Sequence, residues 1–189
     1  TPMESNLKLI IPNERQEEED NMPYRELIGC LMYLAVTTRP DIAYAISFLS
    51  QFNNEYGQEH WTAAKRILRY LKGSSNRSLV YKPSRENLKG YVDADWGSCI
   101  NDRRSYTGFV FFFSQALISW ESRKQRTVAL SSAEAEYMGS TEATKEAIYL
   151  RKFLLELGLK EFSDTTLFND SASAQKLARN PVIILCVRR

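Results

Sequence analysis

The sequence predicts an α/β protein, in which a mixed sheet with flanking helices follows a small helical subdomain. Two observations predict this class. Apolar residues between Pro23 and Gly73 recur at the spacing of amphipathic helices, whereas from Ser78 onward they form short, strand-like runs. A long helical pattern then separates the third strand of the expected sheet from the fourth, which makes the fourth strand a parallel crossover partner.

Three amphipathic helices are expected in the subdomain. The first begins near Tyr24, the second is opened by Pro40 and the third is closed by Gly73, since proline favours a first helical turn and glycine follows a last one. Residues 1–22 are expected to form an extended, solvated arm with an acidic run at 17–20. The residues expected to face inward are Tyr24, Leu27, Ile28, Leu31, Leu34, Ile42, Ile46 and Leu49.

Strand patterns follow in LVYK (79–82), LKGYVDA (88–94), TGFVFFF (107–113) and a long run from 116 to 130. The last three of these are close in sequence, as in an antiparallel meander. A helix to Gly158, a strand at 165–168 and a short helix at 172–178 complete the expected sheet layer.

The glutamates of the long helix are separated by their helical phase. Stepping from Glu136 by three or four residues gives one continuous small-then-apolar stripe, which should pack on the sheet. Glu136 begins this stripe, whereas Glu134 points to the opposite side. The other members of the stripe are Gly139, Ala143, Ala147, Leu150, Leu154 and Leu157.

Two aspartates complete a candidate metal centre. Asp93 ends the apolar run 88–92 and Asp170 follows the short run 166–168, so each lies where a strand leaves the sheet. An ionised Glu136 at the head of a buried face is costly unless a positive or hydrogen-bonding group meets it. A hard cation such as Mg²⁺, held by the three carboxylates, satisfies that requirement and suits phosphodiester hydrolysis.

The residues alone leave other interpretations open. An aspartate at a strand end is commonly a solvated turn residue, and a glutamate in a first helical turn complements the helix dipole. Ser131 and Glu134 also fit a capping box. Asp95, two residues beyond Asp93 and on the same strand face, competes with Asp93 as a ligand.

The net charge of +2, from 25 basic and 23 acidic residues, gives no global field for nucleic acid. Local patches remain. Lys65, Arg69 and Lys72 share one face of the third helix, opposite an expected apolar stripe of Trp61, Ala64, Leu68 and Leu71. Either phosphate contact or ordinary solvation explains this face and a second basic set, which comprises Arg103, Arg104, Arg123, Lys124 and Arg126.

Several classes are disfavoured. Three cysteines without CxxC spacing argue against a disulfide framework and a zinc site, and fit a reduced intracellular setting. His60 is the single histidine, which disfavours histidine-based catalysis, and we expect it on the surface. No apolar run approaches the roughly 20 residues that span a bilayer, so no membrane partner is expected.

The order of elements, with an aspartate on the first sheet strand, a glutamate on the helix and an aspartate after the last strand, resembles the ribonuclease H fold. The amino-acid sequence also resembles the end of the Pol polyprotein of copia-type retrotransposons over almost the whole chain, from Thr1 to Val182. The segments that carry this resemblance are YRELIGCLMYLAVTTRPDIAYAISFLS, HWTAAKRILRYLKG, GYVDADWG, DRRSYTGFVF, ISWESRKQRTVALSSAEAEYM and DSASAQKLARNPV.

The resemblance implies a division into an arm (1–22), a helical tail or connection of reverse transcriptase (23–85) and a ribonuclease H-like domain (86–189). It implies that Asp93, Glu136 and Asp170 bind two Mg²⁺ ions, replaceable by Mn²⁺, and hydrolyse the RNA strand of an RNA–DNA hybrid during reverse transcription. The expected partners are that hybrid, contacted by Lys65, Arg69, Lys72, Ser98 and Ser132, and the upstream reverse transcriptase region. The implied location is intracellular, in a cytoplasmic virus-like particle for an active element.

The sequence departs from the family pattern after NPV. The family continues with a histidine-containing segment, a further helix, a fifth strand and a last helix bearing a fourth carboxylate, whereas this chain reads IILCVRR. We therefore expect a truncation or a shifted reading frame, and a domain incomplete at its C-terminus. The alternative function is a catalytically inactive copy that at most binds nucleic acid.

Overall fold

The structure is a computed structural model that describes residues 1–4, 7–12, 22–83, 85–159 and 164–180. The chain divides into two compact units, Thr1–Leu79 and Val80–Arg189. We call them the helical unit and the sheet unit. Within the described residues, no helix is both long and apolar enough to cross a membrane.

The three helices expected in the helical unit are present. They are α1 (Tyr24–Thr37), α2 (Ala43–Ser50) and α3 (Gln58–Gly73), and a 3₁₀ turn at Pro40–Ile42 leads into α2. Tyr24 opens α1 with its side chain fully buried, where its hydroxyl donates a hydrogen bond to the Leu49 carbonyl over 2.9 Å. Its ring stacks on Tyr56 with centroids 4.6 Å apart. One residue thus links the start of α1 to the end of α2.

His60 is buried, at 2% exposure, so its expected place on the surface is wrong. Its Nδ1 accepts a hydrogen bond from the Gly57 backbone N–H over 3.1 Å, and its ring lies 4.2 Å from that of Phe52. The first backbone N–H groups of a helix have no hydrogen-bond acceptor within the helix. The histidine therefore closes the start of α3 while filling the core.

The apolar face of α3 differs from the predicted stripe. The buried residues are His60, Ala63, Ala64 and Ile67, whereas Leu68 is 43% exposed. Burying His60 rotates the core-facing side by about one residue, because 60, 63, 64 and 67 share one face of a helix. Lys65, Arg69 and Lys72 remain exposed, as expected.

Part of the N-terminal arm packs against protein. Leu9 is only 3% exposed and borders a cavity together with Thr62 and Ala63 of α3. Glu4 also forms an ion pair with Arg66. The expectation of a solvated arm is therefore wrong for Leu9, whereas Glu4 is exposed. The acidic run at 17–20 lies outside the described residues.

The sheet unit contains a four-stranded mixed sheet among its described residues, with strand order β3-β2-β1-β4. The meander pairs are antiparallel and the β1·β4 pair is parallel, as the crossover predicts. Tyr91 pairs with Phe168 in the parallel register. The elements are β1 (Leu88–Ala94), β2 (Tyr106–Phe113), β3 (Ala116–Lys124), α4 (Ser132–Glu156), β4 (Thr165–Phe168) and α5 (Ala172–Arg179).

The predicted strand at 79–82 is wrong, because these residues form no strand ladder. The segment instead makes isolated contacts with the β2–β3 hairpin: the Lys82 N–H donates to Ser114 O over 3.2 Å and the Tyr81 hydroxyl to Leu117 O over 3.0 Å. The long run from 116 also ends as a strand at Lys124, well before residue 130.

Helix α4 packs on the sheet through the predicted small-residue stripe. Gly139 lies so close to β1 and β2 that an added Cβ would be 3.3 Å from Thr107 Cγ2 and 3.5 Å from Ala94 Cβ. Farther along the helix, Ala143, Ala147, Leu150 and Leu154 join a core with Leu88, Val92, Phe109 and Phe111. The small residues let the start of α4 approach the sheet edge at which β1 ends.

Gly90 provides a test of this packing. A Cβ there would be 2.5 Å from Phe111 Cε1 and 2.9 Å from Leu167 Cδ1. We expect Gly90→Ala to destabilise the sheet unit by about 1–3 kcal/mol, the usual cost of overpacking a core. Urea unfolding followed by tryptophan fluorescence measures the change.

Gly29→Ala is the matched control. Nothing lies within 4 Å of its added Cβ, in the interior of α1. Alanine there should stabilise the helical unit by up to about 1 kcal/mol, because glycine is a poor helix former. A Gly90→Ala protein as stable as the parent would contradict the close packing of β1, β2 and β4.

Candidate metal centre

The structure brings the three predicted carboxylates together. Asp93 comes from the last residues of β1, Glu136 from the second turn of α4, and Asp170 from the residues after β4. One carboxylate oxygen from each lies within 4.8 Å of the others. Within the described part of the chain, no ion pair involves any of the three. Among the described residues, the cluster is therefore a concentration of negative charge that no lysine or arginine pairs with.

Glu136 is the buried member of the cluster, at 8% exposure, whereas Asp93 and Asp170 are exposed. Burial raises the pKa of Glu136 above its ordinary value, and the negative charges of Asp93 and Asp170 raise it further. Hydrogen bonds from the Asn169 side chain and the Ala94 backbone act in the opposite direction. The protein thus holds this carboxylate under electrostatic strain that a cation would relieve.

Asn169 was not singled out by sequence analysis, and it orients Glu136. Its Nδ2 donates to Glu136 Oε2 over 2.9 Å and to Ser140 Oγ over 3.2 Å. Its own Oδ1 accepts the Ser171 N–H over 2.7 Å, and its carbonyl accepts from Gln175 Nε2. The sequence shows only that an amide side chain directly precedes Asp170. Its role as a partner of Glu136 depends on the packing of α4 beside β4, which the sequence does not reveal.

Asp93 and Asp95 differ in their hydrogen bonds. Asp95 Oδ1 accepts the Tyr106 backbone N–H over 2.8 Å, and Oδ2 accepts the Ser98 hydroxyl over 2.5 Å. Asp95 lies just beyond β1 and is absent from the carboxylate cluster of the described residues. Its carboxylate therefore shapes the turn after β1, and Asp93 is the candidate ligand that this strand contributes to the cluster.

The start of α4 is capped as the sequence predicts. Ser131 Oγ accepts the Glu134 N–H over 3.1 Å, and Glu134 Oε2 accepts the Leu130 N–H over 2.7 Å. Buried Gln125 adds a polar tether, since its Nε2 donates to Thr107 Oγ1 and to Ala135 O, both over 2.9 Å. These bonds fix the helix end that carries Glu136 against β2.

Among the described residues, the carboxylate cluster includes none of the other candidate residues. Ser98 is exposed and bonded to Asp95, and Ser132 is exposed at the first position of α4. Lys65, Arg69 and Lys72 belong to the helical unit. In the second basic set, Lys124 and Arg104 pair with Asp102, and Arg123 pairs with Glu121 and Glu142, so local ion pairs account for much of this charge.

The fold and the site together define an α/β protein with a three-carboxylate centre suited to a hard divalent cation. Sequence comparison finds relatives over almost the whole chain. The chain is 46% identical over 186 residues to the retrovirus-related Pol polyprotein from transposon TNT 1-94 of Nicotiana tabacum, a match covering 95% of this chain and 14% of that polyprotein. It is 38% identical over 183 residues to the corresponding polyprotein from transposon RE1 of Arabidopsis thaliana, with 96% of this chain and 12% of that protein covered.

These relatives are retrovirus-related Pol polyproteins from transposons, and the chain matches only a small part of their length. A shorter relative is the secreted RxLR effector protein 161 of Plasmopara viticola, 47% identical over 131 residues, which cover 69% of this chain and 92% of that protein. No family model matches the sequence.

The raised pKa of Glu136 makes stability depend on pH in a defined direction. The folded protein binds this proton more tightly than the unfolded chain, so the side chain contributes stability at low pH that is lost as the pH rises through the folded pKa. We expect metal-free Glu136→Gln protein to melt at a higher temperature than the parent near neutral pH. The difference should vanish below about pH 4, where carboxyl groups are protonated in both states.

Thermal melts in chelator across this pH range provide the measurement. Glu146→Gln, on the same helix and bonded to Ser119 Oγ, is the control that should not reproduce the pattern. A Glu136→Gln protein that is less stable than the parent near neutral pH would contradict the electrostatic strain.

The assignment of Asp93 over Asp95 is tested by metal binding. We expect Asp93→Asn to weaken Mn²⁺ binding at least about 10-fold, because a charged oxygen ligand is lost. Asp95→Asn should leave Mn²⁺ affinity within a few-fold of the parent, although the turn after β1 loses an acceptor. Titration of Mn²⁺ followed by electron paramagnetic resonance gives both affinities; the reverse ranking would assign the site to Asp95.

Proposed function

We propose that the sheet unit is a ribonuclease H, which hydrolyses the RNA strand of an RNA–DNA hybrid for a retrotransposon. The observation that carries the proposal is the convergence of Asp93, Glu136 and Asp170 within 4.8 Å. Similarity to the transposon Pol polyproteins supports it, because such elements copy RNA into DNA and form this hybrid. The helical unit is assigned, in the same proposal, to the tail of the reverse transcriptase region.

The topology supports this assignment. A three-stranded antiparallel meander, a crossover helix and a fourth strand parallel to β1 are compatible with a ribonuclease H-like sheet. The strand ends and the start of α4 meet at one edge, which is where open α/β sheets present their ligands. The active site and the topology are therefore consistent with each other.

The donor set fits a hard cation. Three carboxylates supply oxygen ligands, and burial together with the charges of Asp93 and Asp170 raises the pKa of Glu136, which a bound cation would offset. The proposed cofactor is Mg²⁺, with Mn²⁺ as a substitute and two ions in the active centre. Bound there, such ions activate water and stabilise the attacking and leaving oxygens of an in-line displacement at phosphorus.

The chain's own residues position and charge the centre. Asp93 and Asp170 present exposed carboxylates, whereas Asn169 holds the buried carboxylate of Glu136 in one orientation. The exposed side of the cluster admits a phosphodiester, and its buried side fixes the ligand geometry. Removing one of the three groups should therefore affect catalysis far more than folding.

The hybrid is proposed to bind through its backbone. Exposed Lys65, Arg69 and Lys72 on α3 supply positive charge for phosphates, and exposed Ser132 lies at a helix start, where phosphates bind favourably. Discrimination would rest on groove shape and on the RNA 2′-hydroxyl. In an active element the proposed place of action is a cytoplasmic virus-like particle.

Cleavage of a labelled RNA–DNA hybrid in Mn²⁺ tests the proposal. We expect the parent chain to cut the RNA strand and Asp170→Asn to lose at least about 100-fold in rate, because charge stabilisation by a catalytic metal is worth several kcal/mol. Asp164→Asn is the matched control, since Asp164 is an exposed aspartate at the opposite end of β4. It should cut at the parental rate.

The outcomes separate the two functions under consideration. Equal cleavage by the parent and Asp170→Asn would point to a contaminating nuclease and remove support for the proposal. A folded parent that binds the hybrid and leaves it intact in both Mg²⁺ and Mn²⁺ would establish the alternative, an inactive copy that retains nucleic-acid binding.

A further inference from the structure

The loop after β1 carries an exposed tryptophan in a fixed position. We call residues 95–105 the Trp96 loop. The Trp96 side chain is 59% exposed, yet its indole Nε1 donates a hydrogen bond to the Ala129 carbonyl over 3.1 Å. The only polar atom of the ring is thereby satisfied by protein, and what remains exposed is aromatic carbon surface.

The Trp96 loop is anchored from several sides. Asp95 accepts hydrogen bonds from Tyr106 N and Ser98 Oγ, which lie on either side of the loop's first turn. The Gly97 N–H donates to the buried Ser105 hydroxyl over 3.0 Å, and Gly97 has a φ of +62°, a conformation that favours glycine. The loop therefore holds the tryptophan in place before any ligand arrives.

The loop also closes on itself. The Cys99 N–H donates to Arg104 O over 3.2 Å, and the Arg103 N–H donates to Cys99 O over 2.8 Å. Cys99 is buried, at the centre of these bonds. An aromatic residue held this rigidly loses little conformational entropy on binding, which favours a role in recognition.

The location connects Trp96 to the metal centre. Trp96 follows Asp93 by three residues, and its acceptor Ala129 lies two residues before Ser131, the cap of the helix that carries Glu136. The hydrogen bond thus joins the two segments that lead into and out of the carboxylate cluster. Trp96 is therefore held between the segment that follows Asp93 and the segment that leads to the helix of Glu136.

The surroundings favour a polyanionic ligand. Arg103 in the Trp96 loop and Arg126 just before Ala129 are both exposed. Leu130 is 85% exposed in the same second segment. Apolar surface bordered by arginines matches nucleic acid, whose sugars and bases offer apolar faces beside charged phosphates.

We propose that Trp96 is a nucleic-acid contact that docks the hybrid beside the metal centre, with its ring against a sugar or base near the scissile phosphodiester. The inference rests on the proposed function and adds a positioning contact to it. It requires no chemical step by Trp96. Substitution should therefore weaken binding and raise KM while the metal site stays intact.

Hybrid binding in chelator tests the contact independently of cleavage. We expect Trp96→Ala to weaken binding of a labelled RNA–DNA hybrid on the order of 10-fold, since aromatic stacking contacts to nucleic acid are worth about 1–3 kcal/mol. Fluorescence anisotropy gives the affinity, and Mn²⁺ binding equal to that of the parent shows that the carboxylate cluster persists.

Tryptophan emission supplies a second measurement that does not depend on removing the ring. Adding hybrid should quench the parent and Trp120→Phe, a control in β3, whereas Trp96→Phe should lose most of the quenching. Unchanged affinity in Trp96→Ala together with full quenching in Trp96→Phe would overturn the contact, and would indicate that this surface serves another partner.

Cleavage kinetics distinguish failure of this inference from failure of the proposed function. A parent that cuts the hybrid, with Trp96→Ala showing an unchanged KM, would overturn the Trp96 contact and leave the ribonuclease intact. Loss of binding in Trp96→Ala beside a parent that never cuts would support the contact and overturn hydrolysis.

Discussion

The close approach of α4 to β1 and β2 is the constraint on which the candidate centre depends. Gly139 and its small neighbours Ala135 and Ala143 allow the helix to lie almost directly on the strands. Only at that distance does Glu136 come within reach of Asp93 and Asp170. Buried Gln125 holds the same end of the helix through Thr107 and the Ala135 carbonyl. Packing and electrostatics are thus coupled, because the contact of α4 with the sheet also buries the carboxylate of Glu136.

Much of this arrangement followed from periodicity. The three-to-four-residue stepping from Glu136 identified the buried face of α4, and the crossover argument identified β4 as a parallel partner of β1. The buried face of α4 could be predicted because small and apolar side chains recur along it at helical spacing. Periodicity and strand ends accordingly predicted Glu136 and Asp170, whereas the choice of Asp93 over Asp95 came from the family resemblance.

What the sequence concealed were hydrogen bonds between distant segments. His60 reads as a surface residue because histidine is polar, but its bond to Gly57 makes it a core residue and turns α3 about its axis. The roles of Asn169 and Asp95 also depend on hydrogen bonds to residues distant in sequence. Each has a role only through a partner that the fold supplies, Glu136 for one and Tyr106 for the other. The segment predicted as a strand at 79–82 likewise takes its structure from distant partners, since Lys82 and Tyr81 form isolated hydrogen bonds to Ser114 and Leu117.

The different structural roles of Asp93 and Asp95 predict how the two positions change during evolution. One acid is exposed in the carboxylate cluster, whereas the other supports the turn after β1. Their substitutions therefore differ in kind. A copy released from selection for chemistry should drift at position 93 first, because a new side chain there leaves the architecture standing. Position 95 should change later, because its substitution also destabilises the turn after β1. Comparing substitutions at the two positions among related copies would therefore indicate which copies lost selection for chemistry first.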